Sequence, residues 1–187
     1  AFFCNSGAPL LATARAGNVI GGGDWSEDRL IPDLVRAMNA QQSLEIRSPN
    51  ATRPWQHVLE SLSGYLLLGQ KLIEGNKNCD GAWNFGPESS GNRTVADVLN
   101  KLQTHWPEMQ WHQTAAIQPH EANLLYLDSA KAHAQLGWQP VWSLDATLEK
   151  TADWYRAFQG TQSAISTQQL AQYVEAAQNA QVGWVSA

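Results

Sequence analysis

The chain has 187 residues, 43% of them hydrophobic, so it is one ordinary domain or the larger part of one, with apolar residues enough for a core. Charged residues make up 16% against a typical ~25%, and the formal net charge of −5 argues against a nucleic-acid binder, which needs a basic face. No run reaches the ~18 apolar residues of a membrane span, and the two cysteines, Cys4 and Cys79, lack CxxC spacing, which disfavours zinc and disulfides and fits a reducing cytoplasm.

In chain order, Ala1-Phe2-Phe3-Cys4 has neither an initiator Met nor the basic start of a signal peptide and reads as a chain that begins in the middle of something. Leu10 to Ile20 reads as a buried strand running into the loop Gly21-Gly22-Gly23-Asp24-Trp25. Apolar positions from Leu30 to Gln41 fall at helical spacing, with Pro32 in the first turn, where its missing N–H costs nothing. Ser43 to Arg47 alternates like a short strand. The strongest helix is Leu59 to Glu74, with Leu62, Tyr65, Leu66 and Ile73 at helical positions, stopped by Gly75-Asn76.

Ala82 to Phe85 is a strand ended by Gly86-Pro87, and Thr94 with Asp97 forms a capping box for a helix over Val95 to His105. Met109 to Ala115 and Leu124 to Leu127 are short strand candidates. Asp128 or Ser129 caps a brief helix that Gly137 closes, and Ser143 caps another carrying Leu144, Leu148, Tyr155 and Phe158. The composition shifts at Gly160, so residues 1–160 form the main unit and 161–187 a tail with one marginal helix marked by Ile165, Leu170 and Val174. The alternation of strands and helices predicts an α/β fold.

No GxGxxG, HExxH or GxSxG motif occurs, so no dinucleotide loop, zincin site or nucleophile elbow lies within these residues. What remains is a set of arginines and asparagines at predicted strand ends, where open α/β sheets hold ligands. Arg15 to Asn18 ends the first strand, Arg53-Pro54-Trp55 follows the second and Asn84-Phe85-Gly86-Pro87 follows the third. Arginine forks suit phosphate oxygens, and Asn both donates and accepts. The alternatives stay open: Arg15 pairs with a structural carboxylate, Asn84 caps a turn, and Trp55 is core rather than a platform for a base.

The run Arg15-Ala16-Gly17-Asn18-Val19-Ile20-Gly21-Gly22-Gly23-Asp24-Trp25 resembles a segment of the CDP-glucose 4,6-dehydratases, which are extended short-chain dehydrogenase/reductase enzymes. Arg29-Leu30-Ile31-Pro32, the run Arg53 to Glu60, Ser63 to Leu68, Trp83 to Pro87, Pro119-His120-Glu121-Ala122 and Leu136-Gly137-Trp138 continue the resemblance in order. Across the wider superfamily, epimerases and other 4,6-dehydratases share the R-x-x-N-x-x-G pattern; the GGGDW and RPWQHVLE runs are more particular.

The resemblance implies the C-terminal portion of an NAD(P)-binding Rossmann-type fold: the last sheet strands plus a small substrate-binding α/β subdomain. It implies a lyase in which NAD takes hydride from C4 of the glucose ring, water leaves across C5–C6 and hydride returns to C6. In such enzymes the glycine-rich NAD loop, the Tyr-x-x-x-Lys and the acid–base pair precede the matched segment. The chain is therefore expected to hold CDP-glucose without catalytic residues or turnover of its own. By position, Asn18 matches an asparagine on the substrate phosphate, and Arg53 matches an arginine clamping the diphosphate. Arg29 approaches the nucleotide, Arg47 and Asn84 line the base and ribose side, and His120 and Glu121 stand at the far rim. A non-catalytic CDP-sugar binding fragment is the alternative, and a homo-oligomer is compatible with either.

Overall fold

The computed structural model describes residues 9–114 and 124–185. It is an α/β fold of seven short strands and five α-helices in the order β1 (Ala12–Ala16), β2 (Asn18–Ile20), α1 (Leu30–Asn39), β3 (Leu44–Ile46), β4 (Thr52–His57), α2 (Val58–Ile73), β5 (Gly81–Phe85), β6 (Asn92–Thr94), α3 (Val95–His105), β7 (Trp111–Gln113), α4 (Leu144–Thr161) and α5 (Ser166–Asn179).

The strands form three small sheets. β1 pairs in parallel with β5, from Ala12 opposite Gly81 to Ala16 opposite Phe85. One residue later the same extended run changes partner, and β2 pairs in parallel with β4, Asn18 opposite Trp55. The switch falls at Gly17, where an added Cβ would overlap the carbonyl oxygen of Pro54. Only glycine lets the two backbones come that close. β6 flanks β4 on its other side, antiparallel, and β3 pairs in parallel with β7.

Several elements differ from expectation. Arg53-Pro54-Trp55 lie inside β4 rather than after a strand. Pro54 falls where pairing with β6 stops and pairing with β2 starts, a position at which a sheet tolerates a missing N–H. β1 is not buried: Thr13, Ala14 and Arg15 are exposed, because among the described residues the strand has β5 as its only ladder partner. Of the Met109–Ala115 candidate, Trp111–Gln113 forms β7, and Ala115 lies outside the described residues. Leu124–Leu127 is not a strand but one bridge to Thr52, with the Leu125 N–H donating to the Thr52 carbonyl at 3.2 Å.

The main core lies between α1, α3 and α4, with Leu34, Val35, Leu99, Leu102, Leu148 and Tyr155 almost wholly buried. α3 starts at its capping box, the Thr94 hydroxyl accepting from the Asp97 N–H and the Asp97 carboxylate from the Thr94 N–H. A second core sits where α2 meets β5 and the helical turn Ala132–Leu136, around Trp83, Phe85 and Trp138. Gly137, at φ 66°, closes that turn as expected.

α2 approaches β5 through Gly64, where an added Cβ would overlap the Phe85 ring. Its buried face is Glu60, Ser61, Ser63, Gly64, Leu67 and Leu68, while Leu62, Leu66 and Ile73 are exposed. Gly64→Ala is expected to cost about 2 kcal/mol, at the centre of the range for overpacking, read as a lower urea midpoint at unchanged slope. A midpoint equal to wild type would show that Phe85 can swing aside.

The tail helix is also turned from its expected face. α5 buries Gln169, Tyr173 and Ala177 and leaves Leu170 and Val174 exposed. Polar anchors set the orientation: Gln169 Nε2 donates to the Lys150 carbonyl at 2.6 Å, and the Tyr173 hydroxyl reaches Glu60 at 2.9 Å.

Candidate functional site

The loop after β2 builds one wall of the site. At Gly22 an added Cβ would overlap the Trp154 ring, and Gly23 holds φ 83°, so the glycines let the chain turn tightly against α4. Asp24 makes a short turn by accepting from the Ser26 N–H at 2.9 Å. Tyr155 donates its hydroxyl to the Asp24 carbonyl at 2.6 Å, and burial, with Asp24 beside it, pushes that phenol up to about 12. From α1, Arg36 pairs with Asp33 and donates to the carbonyls of Trp25 and Ser26 at 3.0 and 2.9 Å. Held from two helices, the loop is a rigid margin.

Two adjoining hollows open between this loop, α1, β3 and β4. One, of about 330 Å³, is lined by Asn18, Gly21, Asp24, Asp28, Arg29 and Val58 among others. The other, of about 410 Å³, is lined by Asn18, Asp28, Glu45, Arg47, Arg53 and Val95 among others. They share Asn18, Asp28, Leu30 and Trp55, so they form one groove with a waist.

Asn18 opens β2 directly after the Gly17 crossing, half-buried at that waist. Arg53 projects from β4, half-buried, its Nη1 donating to the Thr52 carbonyl at 2.9 Å. Arg47 follows β3, and Arg29 occupies the N-cap position of α1; both are exposed. Four of the seven predicted residues thus meet around one groove. Asn84 stands apart from it: its amide donates to the Asp128 carbonyl at 3.0 Å and ties β5 to the 128–130 turn. His120 and Glu121 lie outside the described residues. Trp55 is 4% exposed and donates Nε1 to the Arg93 carbonyl at 3.0 Å, which makes it a wall of the groove rather than a free platform.

Sequence reasoning missed the acidic side of the groove. Asp24, Asp28, Asp33 and Glu45 face it together with three arginines. It also missed Glu60, fully buried beside a smaller hollow of about 160 Å³ with Gln56, Pro87 and Trp142. Both Glu60 oxygens are bonded, to the N–H groups of Val141 and Trp142 at 2.9 and 2.7 Å and to the Tyr173 hydroxyl. Burial pushes its pKa up, and the same three bonds pull it back. Among the described residues no His, Cys, Asp and Glu cluster could hold a metal ion, and no helix is long and apolar enough to cross a membrane.

No family model matches the chain. It is 49% identical over 150 residues to the CDP-glucose 4,6-dehydratase of Salmonella typhimurium, a match covering 79% of this chain and 42% of that relative. Among solved structures, the UDP-glucuronic acid 4-epimerase of Bacillus cereus in complex with UDP-glucuronic acid and NAD aligns with a TM-score of 0.64 at 20% identity, covering 78% of this chain and 45% of that one. An NAD-dependent NDP-hexosamine 5,6-dehydratase of tunicamycin biosynthesis aligns with a TM-score of 0.65 at 22% identity, covering 80% and 47%. The chain thus spans under half the length of the relatives it matches. By sequence the chain is similar to the CDP-glucose 4,6-dehydratase of Salmonella typhimurium, and its fold is that of a C-terminal portion of the NAD-binding nucleotide-sugar epimerases and dehydratases.

Proposed function

We propose that the groove holds the nucleoside diphosphate of a nucleotide sugar, CDP-glucose, as the substrate-binding part of a 4,6-dehydratase. The observation that carries this reading is the convergence of Asn18, Arg29, Arg47 and Arg53 on one groove. Half-buried Arg53 lines the larger hollow, next to half-buried Asn18 at the waist, and a guanidinium fork and an amide there suit the oxygens of a diphosphate. Arg29 and Arg47 lie at the exposed margins and attract and orient the nucleotide from either side. The choice of a cytidine nucleotide rests on the similarity to the Salmonella enzyme named for CDP-glucose, whereas the Bacillus neighbour holds a UDP-sugar.

The family's cofactor is NAD, which supplies hydride chemistry when bound. The Gly21-Gly22-Gly23 run does not fit its pyrophosphate: Trp154 fills the space over Gly22, and no helix follows until Leu30. The part played by the described residues is accordingly to bind and orient the nucleotide sugar.

Titration of CDP at one ionic strength tests the reading. Arg53→Ala is expected to weaken binding by about 2 kcal/mol, roughly thirtyfold, the lower end for truncating a paired charge because Arg53 is only half-buried. Arg53→Lys should recover part of the loss, since an ammonium lacks the planar fork. Arg156, which donates to the His105 carbonyl far from the groove, is the control. Equal losses for Arg53→Ala and Arg156→Ala would reduce binding to diffuse attraction and refute the site.

A further inference from the structure

We propose that Asp28 selects the base of the bound nucleotide, accepting from the exocyclic amine of cytosine in the smaller hollow of the groove, on the Arg29 side of the waist. This inference rests on the reading of the groove as a nucleotide site and names what the groove distinguishes.

Asp28, an exposed residue, lines both hollows and so stands where they meet. It does none of the structural work open to an aspartate at a helix start. Arg29, not Asp28, is the N-cap of α1, and no side chain caps that helix. Among the described residues Asp28 has no hydrogen bond or ion pair, although Asp24 and Asp33 beside it are both engaged. Its backbone sits at φ 58°, which costs a non-glycine residue energy and keeps it out of the helix that follows.

A free carboxylate lining an arginine groove opposes a diphosphate unless the ligand also brings a donor. Cytosine offers an amine at the position where uracil carries a carbonyl oxygen. A carboxylate accepts from the first and repels the second, so it selects by what it rejects as much as by what it binds. Ribose hydroxyls are the other donors of such a ligand, and the experiment separates them.

The test is calorimetric titration of the full chain with CDP, UDP and 2′-deoxy-CDP at fixed salt and pH. The wild type is expected to bind CDP at least tenfold more tightly than UDP and to bind deoxy-CDP like CDP. Asp28→Asn keeps the shape and tolerance of the left-handed backbone while offering an amide donor, so the preference should fall to near unity or reverse toward UDP. Asp28→Gly, which suits φ 58° better still, should lose the preference and keep the thermal midpoint, separating selectivity from folding. Comparable wild-type affinities for CDP and UDP would overturn the inference and leave the diphosphate site standing, as would a preference unchanged in Asp28→Asn. A large loss with deoxy-CDP would assign the carboxylate to the ribose and overturn it equally. Failure of the wild type to bind any of the three would overturn the groove reading itself.

Discussion

Glu60→Ala is expected to lower the unfolding free energy by about 3–5 kcal/mol, read from urea denaturation at pH 7. The size follows from what the carboxylate holds. Its two oxygens accept one backbone N–H each, from Trp142 and Val141, and Oε2 accepts the Tyr173 hydroxyl as well. Alanine would strand three buried donors, each costing about 1–3 kcal/mol when unpaired, although relaxation keeps the sum below simple addition. Glu60→Gln should rescue little. An amide has one accepting oxygen, so its NH₂ would face one of the two backbone N–H groups. Tyr173→Phe should cost less alone, and a double-mutant cycle with Glu60→Ala should show coupling. The pH dependence has a definite sign. Because burial raises its folded pKa, the proton-linked part of this carboxyl's contribution is full below the unfolded value and is lost as pH rises through the folded one. The hydrogen bonds that alanine removes remain at pH 7. A loss within about 1 kcal/mol for Glu60→Ala would show that the turn 140–142 and α5 are held by apolar packing instead.

That network explains where the fold was legible in the sequence and where it was not. Boundaries set by local chemistry could be read directly. Thr94 and Asp97 start α3 at Val95, Ser143 starts α4 by accepting from the Ala146 N–H, and Gly137 ends the turn before it. The faces that α1 and α4 bury follow the apolar spacing, with Leu34 and Val35 and with Leu148 and Tyr155 inside, but those of α2 and α5 do not. In α2 the spacing singled out Leu62, Tyr65, Leu66 and Ile73, yet of these only Tyr65 packs inward, on Phe85, and the helix turns Glu60, Ser63 and Gly64 inward with Leu67 and Leu68. Ser63 accepts from Trp138 Nε1 at 3.0 Å, and Glu60 bonds residues more than 80 positions away. α5 repeats the pattern, with Tyr173 inside and Leu170 outside. A period of 3.6 reports amphipathicity, not which polar group finds a distant partner.

The groove was legible to the same extent. Asn18 and Arg53 carry a signal because asparagine and arginine beside Gly or Pro at a strand are unusual for packing alone. Arg29 and Arg47 could be placed only through the resemblance. Asp28 carries no motif, and only its placement between two hollows and its lack of a partner mark it. Asn84 shows the opposite failure, a well-placed polar residue whose amide the fold spends on the Asp128 carbonyl.

His57 should give the chain a marked acid sensitivity. Its Nδ1 caps α2 by accepting from the Leu59 N–H at 3.2 Å, which places the proton of the neutral ring on Nε2. That Nε2 is buried with no partner, close to Gly21, while Trp142 packs against the ring at 4.8 Å between centroids. Burial holds the imidazole near a pKa of about 4 in the folded chain, against 6.5 for an ordinary histidine. A folded pKa below the unfolded one means that the unfolded chain binds the proton first. Stability from this residue is therefore full above pH 6.5 and drains away as pH falls toward 4, by about 3 kcal/mol in all. Glu60 tilts the curve the other way, so the contribution is isolated by difference. His57→Asn keeps an oxygen able to cap the helix and does not titrate. Wild type should lose about 3 kcal/mol more than His57→Asn between pH 7 and 4, with the gap opening below 6.5. Parallel curves would mean that the protonated ring finds an acceptor or water in the folded chain, and that its burial carries no penalty.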